Sequence, residues 1–204
     1  MRYLAFFCSV VLHPLILLTA GLISVLRVHP YYKSKFYDQQ FQTIMAFIAV
    51  NVIVMPFLAV YLLKRFRFID NMSIDNPKQR PLPYVIISLL LAYTGFNLYK
   101  NEFTGLPLVF LFATVICIIL NIVINFRFMI SSHAIASGGL LGMFVYLTLL
   151  EHVSVFNWFL VGSILIAGLS GWARLRLNAH TEKQVYSGYI LGLAVVIPMC
   201  YFFG

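Results

Sequence analysis

Seven long apolar segments, joined by short polar connections, make up most of this chain. A helix needs about 20 apolar residues to cross the hydrocarbon core of a bilayer. Charged residues fill only 10% of the 204 positions, whereas an ordinary soluble domain carries about 25%. The sequence therefore predicts an all-α fold, a polytopic transmembrane helical bundle with six to seven spans, in which residues 1–204 form a single membrane-embedded domain. The predicted spans are roughly 4–26, 41–63, 84–99, 108–126, 134–150, 157–173 and 185–203.

Two of these segments leave the number of spans open. The first follows Arg2 and is similar to a signal peptide, but its apolar run continues to about Leu26 without a small-residue cleavage site, so we predict an uncleaved span. Pro14 lies inside it, where neighbouring groups can satisfy the freed carbonyl. The third segment is short and contains Asn97. Six spans plus one segment that enters the bilayer only partway is therefore the alternative.

Seven spans bring alternate connections to the same side of the bilayer. Face one is predicted to hold the N-terminus and the connections 64–83, 127–133 and 174–184. Face two is predicted to hold the connections 27–40, 100–107 and 151–156. Four residues able to bind or attack a phosphate group then share face one: Arg80, His133, Arg174 and His180.

The net charge of +8 comes from basic residues in these short connections. Basic residues beside apolar spans fit anionic lipid headgroups or an anionic substrate. No basic stretch is long enough to follow a phosphate backbone, so nucleic acid is not a predicted partner. Face one carries the larger share of Lys and Arg, which by the positive-inside rule favours a cytoplasmic position for it.

Two polar clusters at the ends of spans carry the residues that phosphate chemistry needs. Cleavage of a phosphate ester requires cations for the oxygens, an in-line nucleophile and an acid for the leaving oxygen. Histidine can be nucleophile or acid near neutral pH, and arginine binds phosphate with a fork of donors. His133 falls in the first turn of the fifth span. Arg174 and His180 would lie about 240° apart on a continuous helix, so we predict a turn near Asn178 that lets both face one ligand.

The spacing Arg174-x5-His180, with His133 in Ser-Ser-His-Ala and Arg80 before Pro81, resembles the type-2 phosphatidic acid phosphatase and vanadium haloperoxidase superfamily. Its integral membrane members carry the motifs Lys-x6-Arg-Pro, Pro-Ser-Gly-His and Ser-Arg-x5-His-x3-Asp. The motif-bearing region here is 78–184. The resemblance implies no metal and no cofactor.

The resemblance also implies a role for each matching residue. His180 would be the nucleophile that forms a phosphohistidine, and His133 the general acid that protonates the leaving alcohol. The phosphate-binding residues would be Arg174, Arg80, Ser131 and Lys78, although the spacing of Lys78 does not match the motif lysine. Gln184 would orient the nucleophilic histidine.

Several motif positions differ from the family pattern. Ser73 stands at the position of the motif lysine, and Ala173 at that of the motif serine. Gln184 replaces the aspartate that orients the nucleophile, so it can accept a hydrogen bond but brings no charge. Thr181 and Gln184 also fit a capping box that starts the last helix. Capping and histidine orientation are compatible alternatives for Gln184.

The resemblance implies an integral membrane phosphatase that hydrolyses a lipid phosphate or pyrophosphate monoester. Its predicted partners are this substrate and the bilayer, with no obligate protein partner, and its predicted location is the bacterial inner membrane. Members of the family act on the outer face, opposite to the charge distribution, so the direction of insertion stays open. The alternative is a catalytically impaired protein of the same fold that binds or moves an anionic lipid.

Overall fold

The computed structural model describes residues 1–35, 38–72, 74, 76–101 and 103–204. Ten α-helices, all within these described ranges, carry the fold, which confirms the predicted all-α bundle. In chain order they are α1 (Arg2–Val11), α2 (Pro14–Val28), α3 (Pro30–Lys35), α4 (Asp38–Ala49), α5 (Met55–Arg65), α6 (Pro81–Lys100), α7 (Leu106–Asn125), α8 (Ser132–Val145), α9 (Asn157–Arg176) and α10 (Glu182–Phe203). Short π-helical segments extend α4 over Val50–Val54 and α8 over Tyr146–Leu150.

In the described part of the chain, six helical stretches are long and apolar enough to cross a membrane. The bent pair α1 and α2 raises this number to seven if it forms one broken span, in agreement with the six to seven predicted. The six stretches are Gln39–Arg65, Pro77–Lys100, Leu106–Asn125, Ser132–Leu150, Ser154–Arg176 and Glu182–Phe203.

The irregular span is the first one and not the third. Helices α1 and α2 meet at an angle of 50°. Pro14 has no N–H to continue the helix, and Nδ1 of His13 accepts a hydrogen bond from the Leu15 N–H as an N-cap. The segment predicted as the first span is therefore two helices that meet just before Pro14. In contrast, α6 is a complete helix over Pro81–Lys100, and the Asn97 amide within it donates to the Tyr93 carbonyl one turn earlier.

Helices α8 and α10 run side by side in the same direction and pack closely. A Cβ on Gly188 would lie 2.7 Å from Cβ of Ala134 and 2.9 Å from the Ser131 carbonyl oxygen. A Cβ on Gly138 would lie 2.7 Å from the Tyr189 carbonyl oxygen. Small residues allow helix backbones to approach in this way inside membranes. The approach fixes the start of α10 beside the start of α8.

The opposite ends of the helices gather the connections predicted for face two. His29 and Glu151 form an ion pair with 3.5 Å between Nε2 and Oε1. The Tyr32 hydroxyl accepts a hydrogen bond of 2.8 Å from the Leu106 N–H. These contacts join the segments that follow α2, precede α7 and precede α9. The predicted alternation of connections between two faces is thus present in the bundle.

Candidate functional site

A cavity of about 560 Å³ brings the predicted face-one residues together. Arg80, His133, Arg174 and His180 all line it. Most of the remaining lining is apolar and comes from α1, α2, α5, α6, α7, α8 and α10. The cavity therefore combines a cluster of cationic and imidazole groups with a hydrocarbon wall.

The His180 ring is oriented by Gln184. Its Nδ1 lies 3.1 Å from Oε1 of Gln184. The same oxygen accepts a 3.1 Å hydrogen bond from the Thr181 N–H, and the Thr181 hydroxyl accepts from the Gln184 N–H. The capping box is therefore present, and both alternatives for Gln184 hold together.

This double contact fixes the tautomer of the His180 ring. A backbone N–H is always a donor, so the Gln184 atom that faces Thr181 is the carbonyl oxygen. That oxygen also faces Nδ1 of His180, so Nδ1 carries the proton of the neutral ring. The lone pair then resides on Nε2, which is the form a nucleophilic histidine needs.

The surroundings keep the His180 ring neutral. His180 is buried and lies between α9 and α10. Burial lowers its pKa to about 4, the Gln184 hydrogen bond raises it, and the positive charges of Arg174 and Arg80 lower it further. Near neutral pH the imidazole ring is therefore neutral, and the lone pair on its Nε2 is available.

His133 carries the complementary tautomer. Its Nε2 lies 3.1 Å from the carbonyl oxygen of Ser9 and 3.5 Å from the Ser9 hydroxyl oxygen. A carbonyl oxygen only accepts, so Nε2 of His133 carries a proton. One site histidine thus has a lone pair on Nε2, and the other carries an N–H at Nε2 that donates a hydrogen bond.

Two arginines flank these rings. Arg174 donates from Nη1 to the Ser9 hydroxyl at 2.9 Å. Arg80 is buried, and its Nε donates to the Ile74 carbonyl at 3.0 Å. The turn predicted near Asn178 is present, because Asn178 adopts φ of 56° directly after α9. It returns the chain so that Arg174 and His180 line the same cavity.

Two predicted phosphate-binding residues lie away from the cavity wall. Ser131 is fully buried, and its hydroxyl caps α8 by accepting from the Ala134 N–H. Its neighbour Ser132 lines the cavity instead. Lys78 is exposed, and its side chain does not contribute to the cavity lining.

Sequence reasoning missed a polar network beside His133. The Ser132 hydroxyl lies 2.7 Å from the Tyr84 hydroxyl and accepts from the Asn121 amide at 3.1 Å. All three side chains line the cavity. Asn121 lies within an apolar run, where an isolated polar residue signals a functional or packing role.

His13 is a third imidazole in the cavity lining. Its Nδ1 accepts a hydrogen bond from the Leu15 N–H at 3.3 Å. Its ring centroid lies 5.8 Å from that of His133 and 4.9 Å from that of Phe57. It therefore packs against both rings and also borders the site.

Four helices begin at this cavity. α2 starts after His13, α6 after Arg80 and α10 just after His180, while His133 is the second residue of α8. Helix N-termini carry partial positive charge and unpaired N–H groups, so they favour anions. The arrangement can bind an anion between cations and present it to a nucleophile and a proton donor.

No family model matches the chain, and neither a curated protein nor a solved structure matches it.

Proposed function

We propose that the protein is an integral membrane phosphatase that hydrolyses a lipid phosphate or pyrophosphate monoester through a phosphohistidine intermediate. The observation that carries this proposal is the shared cavity of His133, His180, Arg80 and Arg174. Their spacing resembles the type-2 phosphatidic acid phosphatase superfamily, and the Nε2 lone pair of His180 agrees with the role that the resemblance implies for it.

The first step forms the phosphohistidine. Nε2 of His180 attacks the phosphorus atom while Arg174 and Arg80 neutralise the phosphoryl oxygens. The bond between phosphorus and the alcohol oxygen breaks, and His133, in its imidazolium form, gives its Nε2 proton to that oxygen and becomes neutral. The lipid alcohol leaves, and the phosphoryl group remains on His180.

The second step returns the protein to its starting state. Water attacks the phosphorus atom, and His133 accepts a proton from it. The bond between Nε2 of His180 and phosphorus breaks, and inorganic phosphate leaves. His133 regains its N–H and His180 its lone pair, so no proton or electron is left unassigned.

The cavity wall supports a substrate that is held in the bilayer. Large apolar side chains with high exposed fractions line the cavity, among them Phe6, Val10, Ile16 and Phe57. A lipid can enter between such side chains with its tail in hydrocarbon and its phosphate at the level of the arginines. We place the protein in the bacterial inner membrane on the resemblance alone.

The second candidate is a protein of the same fold that binds or moves an anionic lipid without hydrolysis. One observation favours it: the group that orients His180 is the uncharged Gln184, and the nearby acid Glu182 is exposed. Loss of the equivalent carboxylate in a serine protease lowers turnover by about 10⁴.

Phosphate release from purified protein distinguishes the two candidates. The substrates are lipid phosphates and pyrophosphates with different chains, presented in detergent micelles or nanodiscs. The proposal expects release by the wild type, none by His180→Ala, and an acid-labile phosphoryl group on His180 after a short incubation. Tight lipid binding without release from any substrate would instead support the second candidate.

His152 offers a matched control for the histidine variants. It lies at the opposite end of the bundle and is exposed. Its φ is 57°, and Asn tolerates this conformation better than Ala. His152→Asn should keep full activity. Equal release by His180→Ala and the wild type would contradict the assignment of His180.

A further inference from the structure

Ser9 is hydrogen-bonded to two of the polar groups that a bound phosphate would need. Its carbonyl oxygen accepts from Nε2 of His133 at 3.1 Å, and its hydroxyl accepts from Nη1 of Arg174 at 2.9 Å. A serine is thus bound, through two oxygen atoms, by one imidazole and one guanidinium. These are the donors that phosphoryl oxygens and a leaving oxygen would otherwise use.

The helix that carries Ser9 buries few of its side chains. Only Ala5 and Ser9 are buried in α1, whereas α2 buries eight residues. The other large side chains of α1 are exposed, including Tyr3, Phe6 and Phe7. Local opening costs little where few apolar contacts are buried. In a bilayer those exposed apolar side chains can stay in contact with lipid whether α1 lies on the site or away from it.

The connection between α1 and α2 can serve as a hinge. Leu12 and His13 lie between these two helices, and the axes of the helices differ by 50°. The start of α2 is capped by His13 itself, so α2 does not depend on α1 for its first turn. A change of backbone angles at Leu12 would move α1 and leave α2, with its His13 cap, in place.

We propose that α1 is a lid whose Ser9 covers the anion site and is displaced when a phosphate group binds. In the closed position Ser9 accepts hydrogen bonds from the Nε2 N–H of His133 and from one N–H of Arg174. Displacement presents both donors to the ligand, and it also withdraws Phe6 and Val10 from the cavity wall. This inference rests on the anion-binding role proposed above for His133 and Arg174.

The lid can be followed by cysteine labelling in protein reconstituted in nanodiscs. The native residues Cys8, Cys117 and Cys200 are replaced by Ala, and single cysteines are placed on opposite faces of α1. Ala5→Cys reports opening, because Ala5 is fully buried in the closed position. Phe7→Cys is the matched control, because Phe7 is 62% exposed. The probe ligand is orthovanadate, an anion with the charge and shape of phosphate.

Vanadate is expected to raise the rate of N-ethylmaleimide labelling at Ala5→Cys several-fold and to leave Phe7→Cys unchanged. Vanadate affinity is measured in parallel by calorimetry. Ser9→Ala removes the contact with Arg174, so it should tighten vanadate binding by up to roughly tenfold. A residue that instead helps to hold the anion would weaken binding when it is removed.

The outcomes separate the lid from the proposed function. Vanadate binding without faster labelling of Ala5→Cys overturns the lid and leaves the anion site standing. Weaker vanadate binding by Ser9→Ala also overturns the lid. Binding by Ser9→Ala but not by the wild type supports a lid that is firmly closed. No binding by either protein overturns the anion site, and the lid with it.

Discussion

Oε1 of Gln184 lies 3.1 Å from Nδ1 of His180 and accepts a hydrogen bond from its N–H. In the superfamily that the sequence resembles, an aspartate stands at this position. The two arrangements orient the ring alike, but a carboxylate also stabilises the positive charge that develops on the imidazole. Under the proposed function, Gln184 therefore supplies orientation of the ring without the charge.

Gln184→Glu should restore the missing charge without losing the helix cap, since Glu also completes a capping box. A carboxylate beside an imidazole raises its pKa by roughly one to three units. We expect faster turnover at neutral pH and a higher His180 pKa, measured by phosphate release and by NMR titration of the ring. Gln184→Ala is the control and should lose the ring orientation and one of the two capping hydrogen bonds, because its backbone N–H can still donate to the Thr181 hydroxyl. Slower turnover by Gln184→Glu would show that charge at this position does not assist the reaction.

The pH dependence of kcat/KM should reflect the lowered pKa of His180. The nucleophile must be neutral, and its pKa of about 4 keeps it neutral at all higher pH values. The acid-side decline of kcat/KM should therefore begin only below about pH 5, as the pH passes through the His180 pKa. In Gln184→Glu this decline should begin at a higher pH. A decline near pH 6.5 in the wild type would show that His180 titrates as if exposed to water.

Local features of the site were predictable because they depend on neighbouring residues. The capping box of Thr181 and Gln184 and the turn at Asn178 both follow from short-range hydrogen bonding and backbone preference. The grouping of Arg80, His133, Arg174 and His180 followed from alternation of the spans. These inferences require only that each apolar segment crosses the bilayer once.

The contacts of Ser9 were not predictable from the sequence. Ser9 lies in an apolar run without a motif, and its partners His133 and Arg174 lie 124 and 165 positions away. The break before Pro14 was missed for a related reason. Proline is tolerated inside many membrane helices, and here the outcome depends on the His13 side chain capping the next helix. Such effects arise from tertiary packing and not from local pattern.

Arg174→Lys should weaken phosphate binding even though the charge is kept. Lysine is a point charge and lacks the planar fork that binds two phosphoryl oxygens. We expect KM and the vanadate dissociation constant to rise about tenfold or more, because one charge-assisted hydrogen bond is lost. Arg176→Lys is the matched control, since Arg176 is exposed two positions later on the same helix. Equal effects of the two substitutions would mean that Arg174 is a headgroup anchor.

The contact between α8 and α10 should control stability and activity together. In Gly188→Ala the new Cβ would lie 2.7 Å from Cβ of Ala134, so the two helices must separate. Overpacking of this kind costs about 1–3 kcal/mol. It also moves the start of α10, and therefore His180, away from the start of α8, which carries His133. We expect a lower unfolding temperature in detergent and reduced phosphate release at temperatures where the variant is still folded.

Gly168→Ala is the control for this substitution. A Cβ on Gly168 meets no atom within 4 Å, and Ala favours a helix over Gly by up to about 1 kcal/mol. The control should therefore unfold at the same or a higher temperature and keep its activity. If both variants lost stability equally, the cause would be glycine replacement in general. If Gly188→Ala lost stability but kept full activity, the spacing of α8 and α10 would not set the distance between the two histidines.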